Sequence, residues 1–204
     1  IFSEFYLSPT YETEAVIQLS NVDNLYSNTD SVKQVLKSTS LISPLMERYN
    51  LDYSDAKLNS YINNNITINE ISNKQLRISL KNNDPEITLN LTKDIINEFS
   101  NRAKKSFKDY IDRQESIIKN LESEVKNIDN RILELENEIG SLKNSNVNPA
   151  EKGILINEQV NILNSLYNRK SNYKKQKQKI ENEIFSLYSL EILNEPYLPE
   201  TPVA

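Results

Sequence analysis

IKNLESEVKNIDNRILELENEIGSL, residues 118–142, decides how the rest of the chain is read. Its apolar residues fall at Ile118, Leu121, Val125, Ile128, Ile132, Leu135, Ile139 and Leu142, in steps that alternate three and four without a miss. That is the spacing of heptad a and d positions, which line one side of an α-helix. Toward the N-terminus no proline interrupts until Pro85, and Asp84-Pro85-Glu86 reads as a helix start. Asp can cap free N–H groups, proline tolerates the first helical position, and Glu suits the positive end of the helix dipole. A helix from residue 85 to near residue 143 is about 88 Å long, at about 1.5 Å per residue. That is longer than an ordinary domain of this size is wide, so the spacing predicts a helix that projects from its base.

Toward the C-terminus, residues 144–148 are polar and Asn-rich and read as a turn. Asn148-Pro149-Ala150-Glu151 then repeats the start signal, with a capping Asn, a proline at the first position and a Glu three residues after the cap. A second stripe follows at Leu163, Leu166, Lys170, Tyr173, Lys177, Ile180, Ile184 and Leu187, with lysine at two of its positions. So short a connection places the helices antiparallel as neighbours. Pairing around the turn brings Lys170, Lys174 and Lys177 toward Glu122 and Glu124, and opposite charges beside the seam help to set register. Lysines within the seam mean that this face is not a continuous dry core.

The chain has 204 residues, enough for one or two domains, and only 37% of them are hydrophobic, which fits an elongated object with little interior. A net charge of -5 argues against a sequence-independent nucleic-acid binder, which needs a basic field. There is no Cys and no His, so disulfides, thiol chemistry, imidazole bases and His-ligated zinc are excluded. No apolar run is long enough to span a bilayer and no signal peptide is visible. The chain does not begin with Met and is read as a fragment or a processed product. Ile1, Phe2, Phe5, Tyr6 and Leu7 fit either the end of a segment removed upstream or an ordinary buried terminal strand.

The flanks of the hairpin predict a small mixed base. Residues 11–19 read as a strand, with Ala15, Ile17 and Leu19 alternating against Val16 and Gln18. Short helices are predicted over 32–38 (capped at Asp30-Ser31), 42–49 (with Pro44 near its first turn) and 54–62 (capped by Ser54). Ile66 and Ile68 start a second strand, and Leu76, Ile78 and Leu80 alternate in a third, with a turn at Ser72-Asn73-Lys74. Ile87, Leu91, Ile95 and Phe99 pack the first part of the long helix on this sheet. After the hairpin, residues 191–198 read as a returning strand. Pro196, Pro199 and Pro202 then recur every third residue, which favours an extended exit. The fold class is therefore α+β, with residues 1–84 and 191–204 as the base and 85–190 as the hairpin.

Candidate sites are few. The acids Glu122/Glu124 and Glu134/Glu136/Glu138 stand two apart, so on a helix they point to different sides rather than at one substrate. They read as a solvated, charge-paired face. Lys170, Lys174, Lys175, Lys177 and Lys179 read as partners of that acidic helix rather than as an anionic-polymer site. Tyr26, Tyr49, Tyr53 and Tyr61 read as core packing rather than as a sugar platform. With only Gly140 and Gly153 there is no glycine-rich phosphate loop. No catalytic residue, metal site or cofactor is predicted, and the chain is read as a non-enzyme.

The layout resembles the extracytoplasmic domain of the chain-length determinant family, the Wzz family of polysaccharide co-polymerases. Four features carry the resemblance: an apolar stretch followed by Tyr11-Glu12-Thr13-Glu14-Ala15; the strand Leu76-Arg77-Ile78-Ser79-Leu80 running into Asn83-Asp84-Pro85; the long helix with its shorter return; and the Pro196, Pro199, Pro202 exit. The resemblance implies transmembrane helices flanking this fragment, a base lying against the inner membrane and a hairpin reaching into the periplasm. It implies a homo-oligomer that sets the chain length of O-antigen, capsule or exopolysaccharide by acting on a membrane polymerase, with no catalysis of its own. The alternative is a periplasmic helical-hairpin adaptor of an efflux or secretion system. About 15 residues after the hairpin are too few for the half-barrel such adaptors carry there, given strands of about 5–6 residues.

Overall fold

The structure is a computed structural model and describes residues 8–51 and 54–203, so the N-terminal apolar cluster Ile1, Phe2, Phe5, Tyr6 and Leu7, and Tyr53, lie outside the described residues. In chain order the elements are β1 (Tyr11–Gln18), α1 (Thr29–Leu36), α2 (Thr39–Arg48), α3 (Asp55–Asn65), β2 (Ile66–Ser72), β3 (Gln75–Asn82), α4 (Pro85–Asn144), α5 (Pro149–Phe185) and β4 (Glu191–Asn194). The chain is α+β: a small antiparallel sheet, short helices, and a hairpin of two long helices. Its contacts form two units, one from residues up to 109 and from 187 onward, the other from residues 110–186. Helix α4 contributes to both.

In the first unit the sheet order is β2-β3-β1-β4. β1 pairs with β3 along its whole length, from Tyr11 opposite Asn82 to Gln18 opposite Gln75. β4 pairs only with the end of β1, from Val16 to Gln18, across an irregularity at Val16/Ile17. Successive strand residues face opposite sides. Ala15, Ile17, Leu76, Ile78 and Leu80 therefore share one face, where they form a single core with Val32, Leu36, Leu45, Met46, Ile62, Leu91, Ile95, Phe99 and Leu190. The other face carries Glu12 beside Lys81 (3.5 Å) and Glu14 beside Arg77 (3.4 Å). These pairs sit across neighbouring strands, where opposite charges favour the register.

Local chemistry places the ends of the short elements. Asn28, rather than Asp30 or Ser31, caps α1, its Oδ1 accepting the Ser31 N–H at 3.0 Å, so the helix starts earlier than the apolar spacing predicts. α2 likewise begins at Thr39 and carries Pro44 inside it. Ser54 precedes α3 without a side-chain capping bond. β4 stops at Asn194 instead of running on to residue 198, because Pro196 has no N–H for a ladder. Lys74 takes φ 65° in the tight β2–β3 turn. Tyr26 stacks at a tilt on Phe99 (5.8 Å between centroids), and Tyr49 and Tyr61 pack against the same core.

Candidate functional site

Helix α4 starts where the sequence places it. Asp84 Oδ1 accepts the N–H groups of Glu86 (2.8 Å) and Ile87 (3.0 Å), which would otherwise be orphaned at the helix N-terminus. Asn82 Oδ1 holds the Asp84 N–H at 3.1 Å, and the Thr88 hydroxyl donates back to Asp84 O at 2.6 Å. Pro85 is the first helical residue, a position that needs no N–H.

In the second unit α4 and α5 fold back on each other through residues 145–148. The turn is closed by three side chains. Ser145 donates its hydroxyl to Leu142 O at 2.7 Å, and Asn148 Oδ1 accepts the Ala150 N–H at 2.9 Å. Lys152 reaches across from α5 to Lys143 O (3.2 Å) and Ser145 O (2.5 Å). Its ammonium thus sits on a carbonyl in the last turn of α4 and on the first carbonyl of the connection, at the negative end of that helix's dipole. Sequence reasoning missed Lys152, and its signal was a basic residue in the first turn of a helix that follows another so closely.

The seam is graded along its length. Ile128, Ile132, Leu135 and Leu166 form a buried cluster, with Leu163 and Tyr173 packed on it. Ile139 is buried, and Leu142 at the turn end is half-buried. Away from the turn, Ile118, Leu121, Val125, Ile180 and Ile184 are all half-buried. Leu187 is not part of the return helix: α5 ends at Phe185, with the Ser186 N–H closing on Glu183 O. Beyond it, tertiary contacts replace the heptad. The Tyr188 N–H goes to Asn21 Oδ1 at 2.8 Å and Leu190 enters the base core.

The charges beside the seam pair differently from the sequence expectation. Lys177 does meet Glu122, at 2.5 Å, and also lies 3.5 Å from Glu181. The hydrogen bond to Glu122 holds the Lys177 ammonium above the usual lysine range. Lys170, however, pairs with Asp129 rather than with Glu122 or Glu124. Helical side chains lean toward their own N-terminus, which for α5 is the turn end. Lys170 therefore reaches turnward along α4, past the residues that simple folding about the turn sets opposite. Lys174 and Glu124 are exposed and form no ion pair among the described residues.

The other acids of α4 serve the hairpin as well. Arg131 bridges Glu134 (2.9 Å) and Glu138 (3.7 Å), while Glu136 accepts the Tyr167 hydroxyl at 3.0 Å, which raises that phenol above its ordinary range. The acid run is therefore spent on cross-links within one helix and between two. Among the described residues no group of three acids converges as a metal site would require.

The hairpin also has a large outward-facing apolar component. Leu133, Ile154, Tyr167 and Phe185 are exposed, Phe185 at 94%. Near the turn, Asn137, Glu138, Ser141, Leu142, Ser145, Leu155 and Gln159 line a groove of about 600 Å³. Chemically, this arrangement is a stiff rod whose inner face holds it together and whose outer faces offer alternating apolar and charged surface.

The proline exit divides in two: Pro196 and Pro199 are buried against the base, and Pro202 is exposed. Among the described residues no helix is long and apolar enough to cross a membrane.

No protein-family model and no curated protein matches the chain. A fragment of WzzB, a polysaccharide co-polymerase from Salmonella Typhimurium, is 14% identical, with a TM-score of 0.42 over 96% of this chain and 99% of that one. The wild-type lipopolysaccharide O-antigen chain-length regulator WzzBSF of Shigella flexneri is 14% identical, with a TM-score of 0.32 over 93% of this chain and 98% of that one. A full-length bacterial polysaccharide co-polymerase is 11% identical, with a TM-score of 0.35 over 98% of this chain and 79% of that one. These three solved structures, each matched over most of this chain, are chain-length regulators or polysaccharide co-polymerases.

Proposed function

We propose that this chain is the periplasmic part of an inner-membrane polysaccharide co-polymerase. It regulates the chain length of a surface polysaccharide (O-antigen, capsule or exopolysaccharide) by acting, as a homo-oligomer, on a membrane polymerase, and it catalyses no step itself. One observation carries the reading. The long hairpin is inserted between β3 and β4 of a base whose first and last strands are neighbours, with Thr10 bridged to Val203. Both chain directions therefore leave the base side by side. That is the arrangement expected of a domain held at a membrane by a segment before it and a segment after it. The order of the motifs, with Asp84-Pro85 after the third strand and the proline exit after the fourth, supports the same reading. In this assignment residues 1–84 and 191–204 are the base, 85–190 the hairpin, and the seam and its charges hold the hairpin's shape for partners along its outer faces.

The test is deletion of the gene in its source organism, with the surface polysaccharide separated by length on a gel. A modal cluster of long chains that collapses to a short, unregulated spread, at unchanged sugar composition, supports the proposal. An untouched length distribution with failed export of another compound overturns it in favour of a helical-hairpin adaptor.

A further inference from the structure

We propose that residues 195–203 are a releasable strap, latched by the Thr13 hydroxyl, that ties the last strand to the first residues of β1 and peels away as a unit without opening the sheet. The inference does not depend on the functional assignment above.

Thr13 is fully buried and lies on the core-facing row of β1 with Ala15 and Ile17. A hydroxyl there needs partners, since a buried polar group left unpaired is costly. Both of its bonds go to one residue: Thr13 donates to Tyr197 O at 2.6 Å and accepts the Tyr197 N–H at 3.1 Å. The other fastening is the Val203 N–H to Thr10 O, at 2.7 Å. Among the described residues no further hydrogen bond ties 195–203 to the rest of the protein.

Prolines explain why the strap is not simply more of β4. Pro196, Pro199 and Pro202 offer no N–H, so a ladder cannot form. An extended chain with three residues per turn sets positions three apart on one side. Pro196 and Pro199 use that side to pack on the base, while Tyr197 and Leu198 face outward, at 59% and 50% exposed. The strap therefore has an apolar sole, one internal latch and one end tie. β1, by contrast, is laddered to β3 at every position from Tyr11 to Gln18. Segments held by few buried contacts and few hydrogen bonds open locally, well below the free energy of global unfolding. Breaking the Thr10–Val203 tie leaves the latch as the next point to yield, and Asn194, paired with Val16, marks where peeling stops.

Hydrogen exchange of the whole chain tests this. In Thr13→Val, which keeps the shape and removes both bonds, the Tyr197 and Val203 amides are expected to exchange at least tenfold faster, in step with each other. Ile192 and Ile78 amides keep their protection. Thr13→Ser, which keeps the hydroxyl, stays close to the parent. Faster exchange throughout the sheet in Thr13→Val overturns the proposal by making Thr13 an ordinary core residue. Unchanged Tyr197 exchange, or a Val203 amide that ignores the substitution, overturns it as well. If Thr13→Val does not fold, Tyr197→Pro removes that N–H from outside the core and is read at the Val203 amide, which should exchange at least tenfold faster while Ile192 and Ile78 keep their protection. The chain has no cysteine, so Thr10→Cys with Val203→Cys gives a clean second test. Oxidation in the otherwise parental chain should join the ends and slow Tyr197 exchange, because peeling starts at the Thr10–Val203 tie; Tyr197 exchange unchanged with the ends joined overturns the proposal.

Discussion

Asp84 holds two N–H groups with one carboxylate oxygen at the point where sheet gives way to helix. Asp84→Ala should cost about 1 kcal/mol of stability, the usual loss for an N-cap, read as a lower urea midpoint at unchanged slope. Tyr49 works in a different pH range. Burial first, and then its hydrogen bond to Asp94 (2.9 Å), push its hydroxyl from the ordinary 10.0 up to about 12. Below the ordinary value the phenol is protonated in both folded and unfolded chains and its contribution is intact. As pH climbs from there toward the folded-state value, the unfolded chain releases its proton first and stability drains away. The unfolding temperature should therefore fall between about pH 10 and pH 12. Tyr49→Phe should flatten that part of the curve, and an identical slope would remove Tyr49 from the account.

The elements differ in how far they could be read in advance. The start of α4, the turn and the start of α5 were legible because each rests on local chemistry: Asp before proline, Asn before proline, and a heptad that says which side faces inward. What was not legible depended on two elements at once. The Lys170–Asp129 pairing needs the lean of side chains on antiparallel helices, and Leu187 keeps the heptad spacing after Ser186 has already ended the helix. The short helices of the base were found and Ser54 does stand at the cap of α3, but α1 was started too late, because Asn28 and not Asp30-Ser31 takes the Ser31 N–H. Charge reversal separates the seam contacts cleanly. Lys177→Glu should lower the melting temperature of the hairpin's helical signal, adding Glu122→Lys should return most of it, and salt should weaken both effects because the pair is exposed. Lys174→Glu, by contrast, should leave the melt nearly unchanged. Equal losses for Lys174 and Lys177 would mean that the effect is net charge rather than this pair.

For the whole molecule, the contacts fall into two sets that meet along continuous chain at residues 109–110 and 186–187, and the first set has its own core. A chain in which a short flexible linker replaces residues 110–186 should still melt cooperatively, with sheet signal retained and helical signal reduced. A non-cooperative melt would show that the base depends on the hairpin. The position of β4 also has a kinetic consequence. Thr13 and Tyr197 are 184 residues apart in the chain, yet touch. β1, β2 and β3 come from one contiguous stretch and can assemble early, whereas the fourth strand can add only after everything between has been made. Closing such a span by chance is slow. Helix growth, by contrast, proceeds in nanoseconds per residue, and a zippered hairpin shortens the remaining gap to little more than its own two feet. The heptad therefore has a second role during refolding: it makes the last strand a local event, and cutting the hairpin at its turn should slow that final step more than it lowers stability.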